Sequence, residues 1–229
     1  MPSGGSGVVI LRYPSTLDIR NGAGLSYTTS VVGSNKVTVF TAGTGNIQFA
    51  TATANSSFVL LETVTLTSTQ ASVEFTNLAT KYAALGYQHL QIRAVVRSNG
   101  TRGDGGSQGY IRINGDTGSN YNYHNMWGNG SSVQSGSSAE SGIWAGWMAA
   151  ANAPANVFGA WVMDLLDPFE TTKNKTVRIL SGSGNLIEVS ITSGMRRNTE
   201  AVTSITILDR LGSSYVAGSR FSIYGLRGS

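Results

Sequence analysis

Hydrophobic and polar residues alternate with a period of two along most of this chain, as in half-buried β-strands. In the segment YQHLQIRAVVRS, Leu90, Ile92, Ala94 and Val96 share one face, while polar side chains occupy the other. Similar segments recur at intervals of about ten residues and are separated by turn-forming residues. The pattern predicts an all-β protein, either a sandwich or a barrel.

Helical patterns are weak. The segment NLATKYAALGY predicts one or two turns of helix. The segment GIWAGWMAAANAP is rich in alanine, but Gly142 and Gly146 interrupt it. Because glycine disfavours a helix interior, we expect a strand and a loop there.

The N-terminal segment KVTVFTAGTGNIQFA has the pattern of a β-hairpin. Val37 and Val39 alternate with polar residues before the Gly-bearing AGTG turn, and Ile47 and Phe49 alternate after it. The following segment, TATANSS, contains only small and polar residues, which is typical of a linker. The sequence therefore predicts a β-module over residues 1–50, a linker over 51–57 and a second domain over 58–229.

Composition narrows the possible functions. Charged residues make up only 12% of the chain and hydrophobic residues 40%, which favours an uncharged polar surface over a β-rich core. The chain has no cysteine, so disulfides, thiolate metal sites and cysteine nucleophiles are excluded. The net charge of +4 is spread without a basic tract, so we expect no nucleic-acid partner. No apolar run approaches a membrane span and the N-terminus lacks a secretion signal, so we expect synthesis in the cytoplasm and no membrane partner.

One stretch, IRINGDTGSNYNYHNMWGNGSSV, concentrates polar and aromatic residues over positions 111–133. Asp116 and His124 alone do not make a metal site, because transition metals and calcium recruit more ligands. We expect neither a metal nor a cofactor, and we expect Asn114-Gly115-Asp116 to form a tight turn. The remainder is expected to span a strand end and a long, exposed loop.

The sequence also gives little indication of catalysis. Most glycosidases need two carboxylates that flank the scissile bond. The acids closest in sequence are Asp164, Asp167 and Glu170, which fall in an apolar strand and the turn that ends it. There are only two histidines and no nucleophile elbow, so we expect no enzyme activity.

Aromatic rings interleaved with asparagine and glycine suit wet contact surfaces. Such rings could stack on sugar rings, cover a subunit contact or belong to the core. The candidate residues for glycan or subunit contact are Tyr121, Tyr123, His124, Trp127, Asn129, Trp144 and Trp147.

Two regions of the chain resemble structural proteins of tailed bacteriophages. GGSGVVILRYP followed by VTVFTAGTGNIQF resembles a small β-module of phage structural proteins. Residues 56–229 resemble a β-domain found in virion proteins of marine and freshwater phages, including fibre-like ones. This second resemblance rests on the segments ASVEFTNL, YQHLQIRAVVRS, IRINGDTGSNY, WGNGSSV, FGAWVMDLLD, KTVRILSG, MRRNTEAVTSITIL and AGSRFSIYGLRG.

The resemblance implies a non-enzymatic structural protein on the virion surface, of the capsid-decoration or head-fibre type. The N-terminal module would anchor it to other virion proteins, and a jelly-roll-like β-sandwich would face outward. A homo-oligomer, a trimer by analogy, and contact with host-surface glycans are further expectations. No heptad stretch for a fibre shaft is present, which favours a short protein in many copies.

Two alternatives remain open. One is a receptor-binding protein of the tail fibre or tail tip, which would recognise carbohydrate through exposed aromatic residues. The other is a glycan-degrading depolymerase, which requires two carboxylates that converge in a cleft.

Overall fold

The structure, a computed structural model, describes residues 7–21, 24–51, 57–101, 106–183 and 188–227. The chain divides into two compact units, residues 1–56 and 57–229. Most of the predicted linker, residues 52–56, lies outside the described residues.

The described residues of the N-terminal unit form five antiparallel strands in two small sheets, ordered β1-β4-β3 and β2-β5. The strands are β1 (Val9–Pro14), β2 (Leu17–Asn21), β3 (Leu25–Val32), β4 (Asn35–Gly43) and β5 (Ile47–Thr51). The described buried side chains of this unit are Tyr13, Thr38 and Phe40. The Tyr13 hydroxyl lies 2.8 Å from the Thr38 hydroxyl, and its ring meets Phe49 edge-on at 5.3 Å. The core of this unit is therefore small.

The predicted hairpin in this unit is wrong. Both strands form, but β4 pairs with β1 and β3, whereas β5 pairs with β2. A strand has only two edges for hydrogen bonding, and β4 uses both of them for other partners. The alternation of Val37, Val39, Ile47 and Phe49 thus predicted the strands without their pairing.

The C-terminal unit is a β-sandwich, with twelve strands in the part that the structure describes. The first six strands are β6 (Phe58–Thr65), β7 (Ser72–Phe75), β8 (His89–Val96), β9 (Gly106–Ile113), β10 (Tyr121–Gly128) and β11 (Val133–Glu140). The other six are β12 (Ile143–Ala149), β13 (Gly159–Leu166), β14 (Lys175–Ser183), β15 (Glu188–Arg196), β16 (Ile205–Asp209) and β17 (Arg220–Leu226). An eight-stranded sheet has the order β11-β10-β15-β14-β13-β8-β17-β6, and a four-stranded sheet has the order β12-β9-β16-β7.

Eight of these strands have the order of a jelly roll. Without the β10–β11 and β14–β15 hairpins, the sheets read β6-β17-β8-β13 and β7-β16-β9-β12. Chain neighbours such as β6 and β7 therefore lie in different sheets, as Greek-key connections require. The two hairpins extend one sheet beyond β13. The expected fold class, a small β-module followed by a jelly-roll-like sandwich, is confirmed.

The core of the sandwich follows the predicted alternation. Leu90, Ile92, Ala94 and Val96 of β8 are all buried, and their polar neighbours lie on the other face. The helix prediction is also confirmed, because NLATKYAALGY forms α1 (Leu78–Tyr82) and a short 3-10 helix over Ala83–Leu85. In the described parts of the chain, no helix is long and apolar enough to cross a membrane.

The stretch over residues 111–133 differs from its expected long loop. Asn114 and Gly115 do form the predicted tight turn, with φ angles of 55° and 63°. Residues 121–128 then form strand β10, which pairs with β11 on one side and β15 on the other. The pairing satisfies backbone groups that an exposed loop would leave to water. Asparagine and glycine therefore mark the turns around this strand.

Candidate functional site

A cleft of about 370 Å³ in the sandwich combines aromatic and charged side chains. Its size is within the range of small-molecule sites. Strands of both sheets line it. The described lining residues are Gln108, Tyr123, Asn125, Trp127, Gly136, Ser137, Ser138, Glu140, Trp144, Trp147 and Arg210.

Strand β10 supplies one wall of the cleft. Tyr123, Asn125 and Trp127 alternate along it, so their side chains share one face. The neighbouring β11 is an edge strand, and it contributes small residues such as Gly136 and Ser137. A Cβ atom at position 136 would lie 3.1 Å from Asn125 Oδ1 and would contact the ring of Trp127 at 3.6 Å. Glycine at this position therefore leaves that part of the indole uncovered.

Strand β12 supplies Trp144 and Trp147. Residues three apart on a regular strand point to opposite faces, yet both indoles line the cleft. A β-bulge between Trp144 and Gly146 shifts the register and removes this conflict. Gly146 has a φ of +95°, and a Cβ atom there would lie 1.7 Å from the Ser181 hydroxyl. Only glycine fits this bulge.

The three tryptophans form a continuous edge-to-face series. Trp127 and Trp144 are 6.1 Å apart between ring centroids, and Trp144 and Trp147 are 5.9 Å apart. Trp144 and Trp147 are buried, whereas Trp127 is half-buried and is the ring available to a ligand. The indole nitrogen of Trp144 has no hydrogen-bonding partner within the described residues. Buried polar groups without a hydrogen-bonding partner are tolerated more readily at binding sites than in a core that has no binding function.

Glu140 is the centre of the polar part of the cleft. Its Oε1 accepts hydrogen bonds from Tyr123 Oη at 3.1 Å, Ser138 Oγ at 2.8 Å and Arg210 Nη2 at 2.7 Å. Its Oε2 accepts one from Tyr110 Oη at 2.8 Å. The carboxylate is thus held in one orientation by groups from four places in the sequence.

This network favours the ionised form of Glu140. Burial acts to raise its pKa, but the hydrogen bonds from Ser138 and Tyr110 and the charge of Arg210 act against burial. The net effect places the pKa of Glu140 below its ordinary value. Burial, together with the bond to Glu140, raises the pKa of Tyr110 to about 12. Near neutral pH the pair consists of a carboxylate and a neutral phenol.

Arg210 is fixed by the turn that follows β16. Its Nη1 donates to Gln108 Oε1 at 2.9 Å, and its backbone N–H donates to the Gln108 carbonyl at 2.8 Å. The preceding Asp209 is buried, and its carboxylate accepts hydrogen bonds from Ser98 and Ser107. A rigid turn therefore holds the guanidinium against Glu140.

The cleft brings together four of the seven candidate residues, namely Tyr123, Trp127, Trp144 and Trp147. Tyr121 is instead fully buried, and its hydroxyl bonds to the backbone of Ile113 and Asp116. His124 is exposed on the opposite face of β10. Asn129 caps the turn to β11 by accepting from the N–H groups of residues 131 and 132.

Sequence reasoning missed the polar half of the cleft, which consists of Gln108, Asn125, Glu140 and Arg210. Glu140 and Arg210 are 70 positions apart, so their contact depends on the pairing of distant strands. A local signal did exist for the tryptophans. An isolated glycine between two aromatic residues of a strand, as in WAGW, is typical of a bulge.

The remaining acids named in the sequence lie elsewhere. Asp116 forms an ion pair with Arg196 at 2.9 Å, and Asp164 accepts from Gln91 at 2.7 Å. Asp167 and Glu170 line a separate depression, where Asp167 pairs with Lys173 and Glu170 accepts from the backbone of residues 171 and 172. Among the residues that the structure describes, no three histidine or acidic groups are arranged to hold a metal ion.

Fold and cleft together define a jelly-roll β-sandwich with a tryptophan-walled, hydrogen-bonding pocket. No protein-family model matches this chain, and neither the curated proteins nor the solved structures gave a match.

Proposed function

We propose that this protein is a non-enzymatic structural protein on the surface of a tailed phage particle, of the capsid-decoration or head-fibre type. In this proposal the C-terminal sandwich contacts host-surface glycans through the cleft. The observation that carries the glycan contact is the half-buried ring of Trp127 beside a fixed set of hydrogen-bonding groups. Aromatic rings flanked by a few oriented polar groups are the usual composition of small-ligand sites.

The distribution of acids supports binding over hydrolysis. Of the described residues that line the cleft, only Glu140 is acidic. Its carboxylate has an ion-pair partner and three further donors, so it is not placed as a general acid opposite a second carboxylate. A depolymerase would need a second carboxylate that converges on the same space.

The N-terminal unit has features that suit attachment to another protein. Val8, Val9 and Ile10 are exposed by more than half, although they belong to or adjoin a strand. An apolar groove of about 480 Å³ lies in the same unit and is lined in part by Leu11 and Phe40. Exposed apolar surface of this kind usually marks an interaction site. We therefore assign the anchoring role to this unit.

A second candidate function is decoration through self-assembly, without a glycan ligand. The outer face of the eight-stranded sheet exposes Met126, Leu180 and Ile191 in one row across neighbouring strands. Val133 and Val189 extend this apolar surface, and both are more than half exposed. A homo-oligomer would cover it.

Imaging of virions labelled with an antibody fragment against this protein tests the proposal. Labels spread over the head in many copies are the expected result. Labels confined to the tail would support the receptor-binding alternative, while unlabelled particles would contradict a role in the virion. Sedimentation of the free protein with and without Ile191→Ser separates the second candidate, because a self-assembled form should dissociate in the variant.

A further inference from the structure

We propose that the cleft selects neutral sugars and discriminates against acidic ones such as sialic and uronic acids. This inference rests on the proposed glycan contact and names the class of glycan. It follows from how the charges of the cleft are arranged.

Charge in the cleft is balanced internally. Glu140 and Arg210 are the charged residues among the described lining residues, and they contact each other at 2.7 Å. The other terminal nitrogen of Arg210, Nη1, donates a hydrogen bond to Gln108 Oε1. An acidic sugar would have to compete with Glu140 for this guanidinium and would lie close to a carboxylate of the same charge. Like charges in such positions disfavour binding.

Glu140 instead offers a place for a hydroxyl group. A carboxylate can accept about four hydrogen bonds, two at each oxygen. Among the described residues, Oε1 accepts three hydrogen bonds and Oε2 accepts one, from Tyr110. Oε2 therefore keeps acceptor capacity, and a sugar hydroxyl can donate to it in a charge-assisted hydrogen bond.

The lowered pKa of Glu140 supports this arrangement, because the acceptor stays ionised near neutral pH. Asn125 supplies a nearby amide that can both donate and accept. Trp127 offers a half-buried apolar ring, part of which Gly136 leaves uncovered. Stacking on one face and hydrogen bonding at the edge are what a neutral pyranose requires.

The test measures binding of two sets of probes to the full chain by titration calorimetry. Gluco- and galacto-oligosaccharides form the neutral set, and oligosaccharides bearing sialic or glucuronic acid form the acidic set. We expect measurable affinity for a member of the neutral set that changes little with salt, and at least about tenfold weaker binding of the acidic set. Acidic probes that bind as tightly as neutral ones would overturn the selectivity while leaving glycan contact intact. Failure of both sets would count against glycan contact itself.

Variants at the charged pair sharpen this test. Glu140→Gln leaves Arg210 without its counter-ion, so we expect acidic probes to gain about tenfold in affinity and neutral probes to lose about tenfold. The double variant Glu140→Gln, Arg210→Gln is neutral again and should lose the gain for acidic probes. An unchanged preference in the folded single variant would contradict the assigned role of Glu140. If a variant fails to fold, the comparison of neutral and acidic probes on the wild-type protein still tests the proposal.

Discussion

The N-terminal unit buries three of its described side chains, Tyr13, Thr38 and Phe40, whereas the C-terminal sandwich buries a continuous core between two sheets. Of the described residues of the smaller unit, eight large hydrophobic ones are exposed. A small domain without disulfides usually needs a metal or a partner to be stable, and this chain has no cysteine. The difference teaches that the C-terminal sandwich is stabilised by its own core, whereas the N-terminal unit has exposed apolar surface that is available to bind a partner.

The largest effect should come from the core of the sandwich. Phe221 is fully buried, so Phe221→Ala should lower the free energy of unfolding of that unit by about 3–5 kcal/mol. Phe40→Ala is the matched change in the smaller core and should affect the N-terminal transition alone. Calorimetric unfolding of both variants checks this. Equal loss of the C-terminal transition in both would contradict the separation into two cores.

Gly146→Ala should be the next most damaging change. The added Cβ atom would meet Ser181 in a backbone conformation that disfavours alanine, at a cost of about 2–3 kcal/mol. Loss of the bulge should also separate Trp144 from Trp147 and abolish glycan binding. Gly128→Ala is the control, because its Cβ atom would meet nothing closer than 3.7 Å. A stable Gly146→Ala variant that still binds would refute the role given to the bulge.

Exposed residues of the N-terminal unit should matter for attachment and little for folding. Ile10 and Val32 lie on the same face of the three-stranded sheet. The double variant Ile10→Ser, Val32→Ser should reduce co-sedimentation with virions by about tenfold, while free-protein stability changes by less than about 1 kcal/mol. Leu60→Ser removes a comparably exposed residue of the sandwich and should leave attachment unchanged. Normal attachment of the double variant would show that residues other than these two anchor the protein to the virion.

The smallest effect concerns pH. Because the pKa of Glu140 is lower in the folded protein, its contribution to stability is fully present above the pKa of the unfolded chain. That contribution is lost as the pH falls through the lowered folded value. We expect the thermal stability of the wild type to fall more than that of Glu140→Gln on acidification below about pH 4. Parallel melting profiles across this range would argue against the ionised network.

The sequence was informative wherever a local pattern sets the structure. Alternation along β8 predicted its buried face, and the helix over Leu78–Tyr82 was found despite its short length. Strand pairing was less accessible, because hydrogen bonds between distant segments leave no local pattern. The β4–β5 error has this origin, and so does the unexpected strand β10.

The aromatic half of the cleft was predictable and the polar half was not. Trp127, Trp144 and Trp147 stand out by residue type, whereas Glu140 and Arg210 gain meaning only once β11 and the turn after β16 meet. Tyr121 was named with the aromatic residues and shares a face of β10 with Tyr123 and Trp127, but it belongs to the core, because its ring is fully buried and its hydroxyl bonds to the backbone of Ile113 and Asp116. Residue type therefore indicated an aromatic contact surface, whereas long-range contacts determined which residues line the cleft.

The central claim is that the sandwich binds glycan through the cleft with Trp127 as its platform. The most direct measurement is titration of neutral oligosaccharides from the host cell surface into wild type, Trp127→Ala and His124→Ala, each checked for folding by its melting temperature. His124 lies on the opposite face of the same strand and provides the control. We expect wild type and His124→Ala to bind alike, and Trp127→Ala to lose at least about tenfold in affinity. Equal binding by all three proteins, or by none, would contradict the claim.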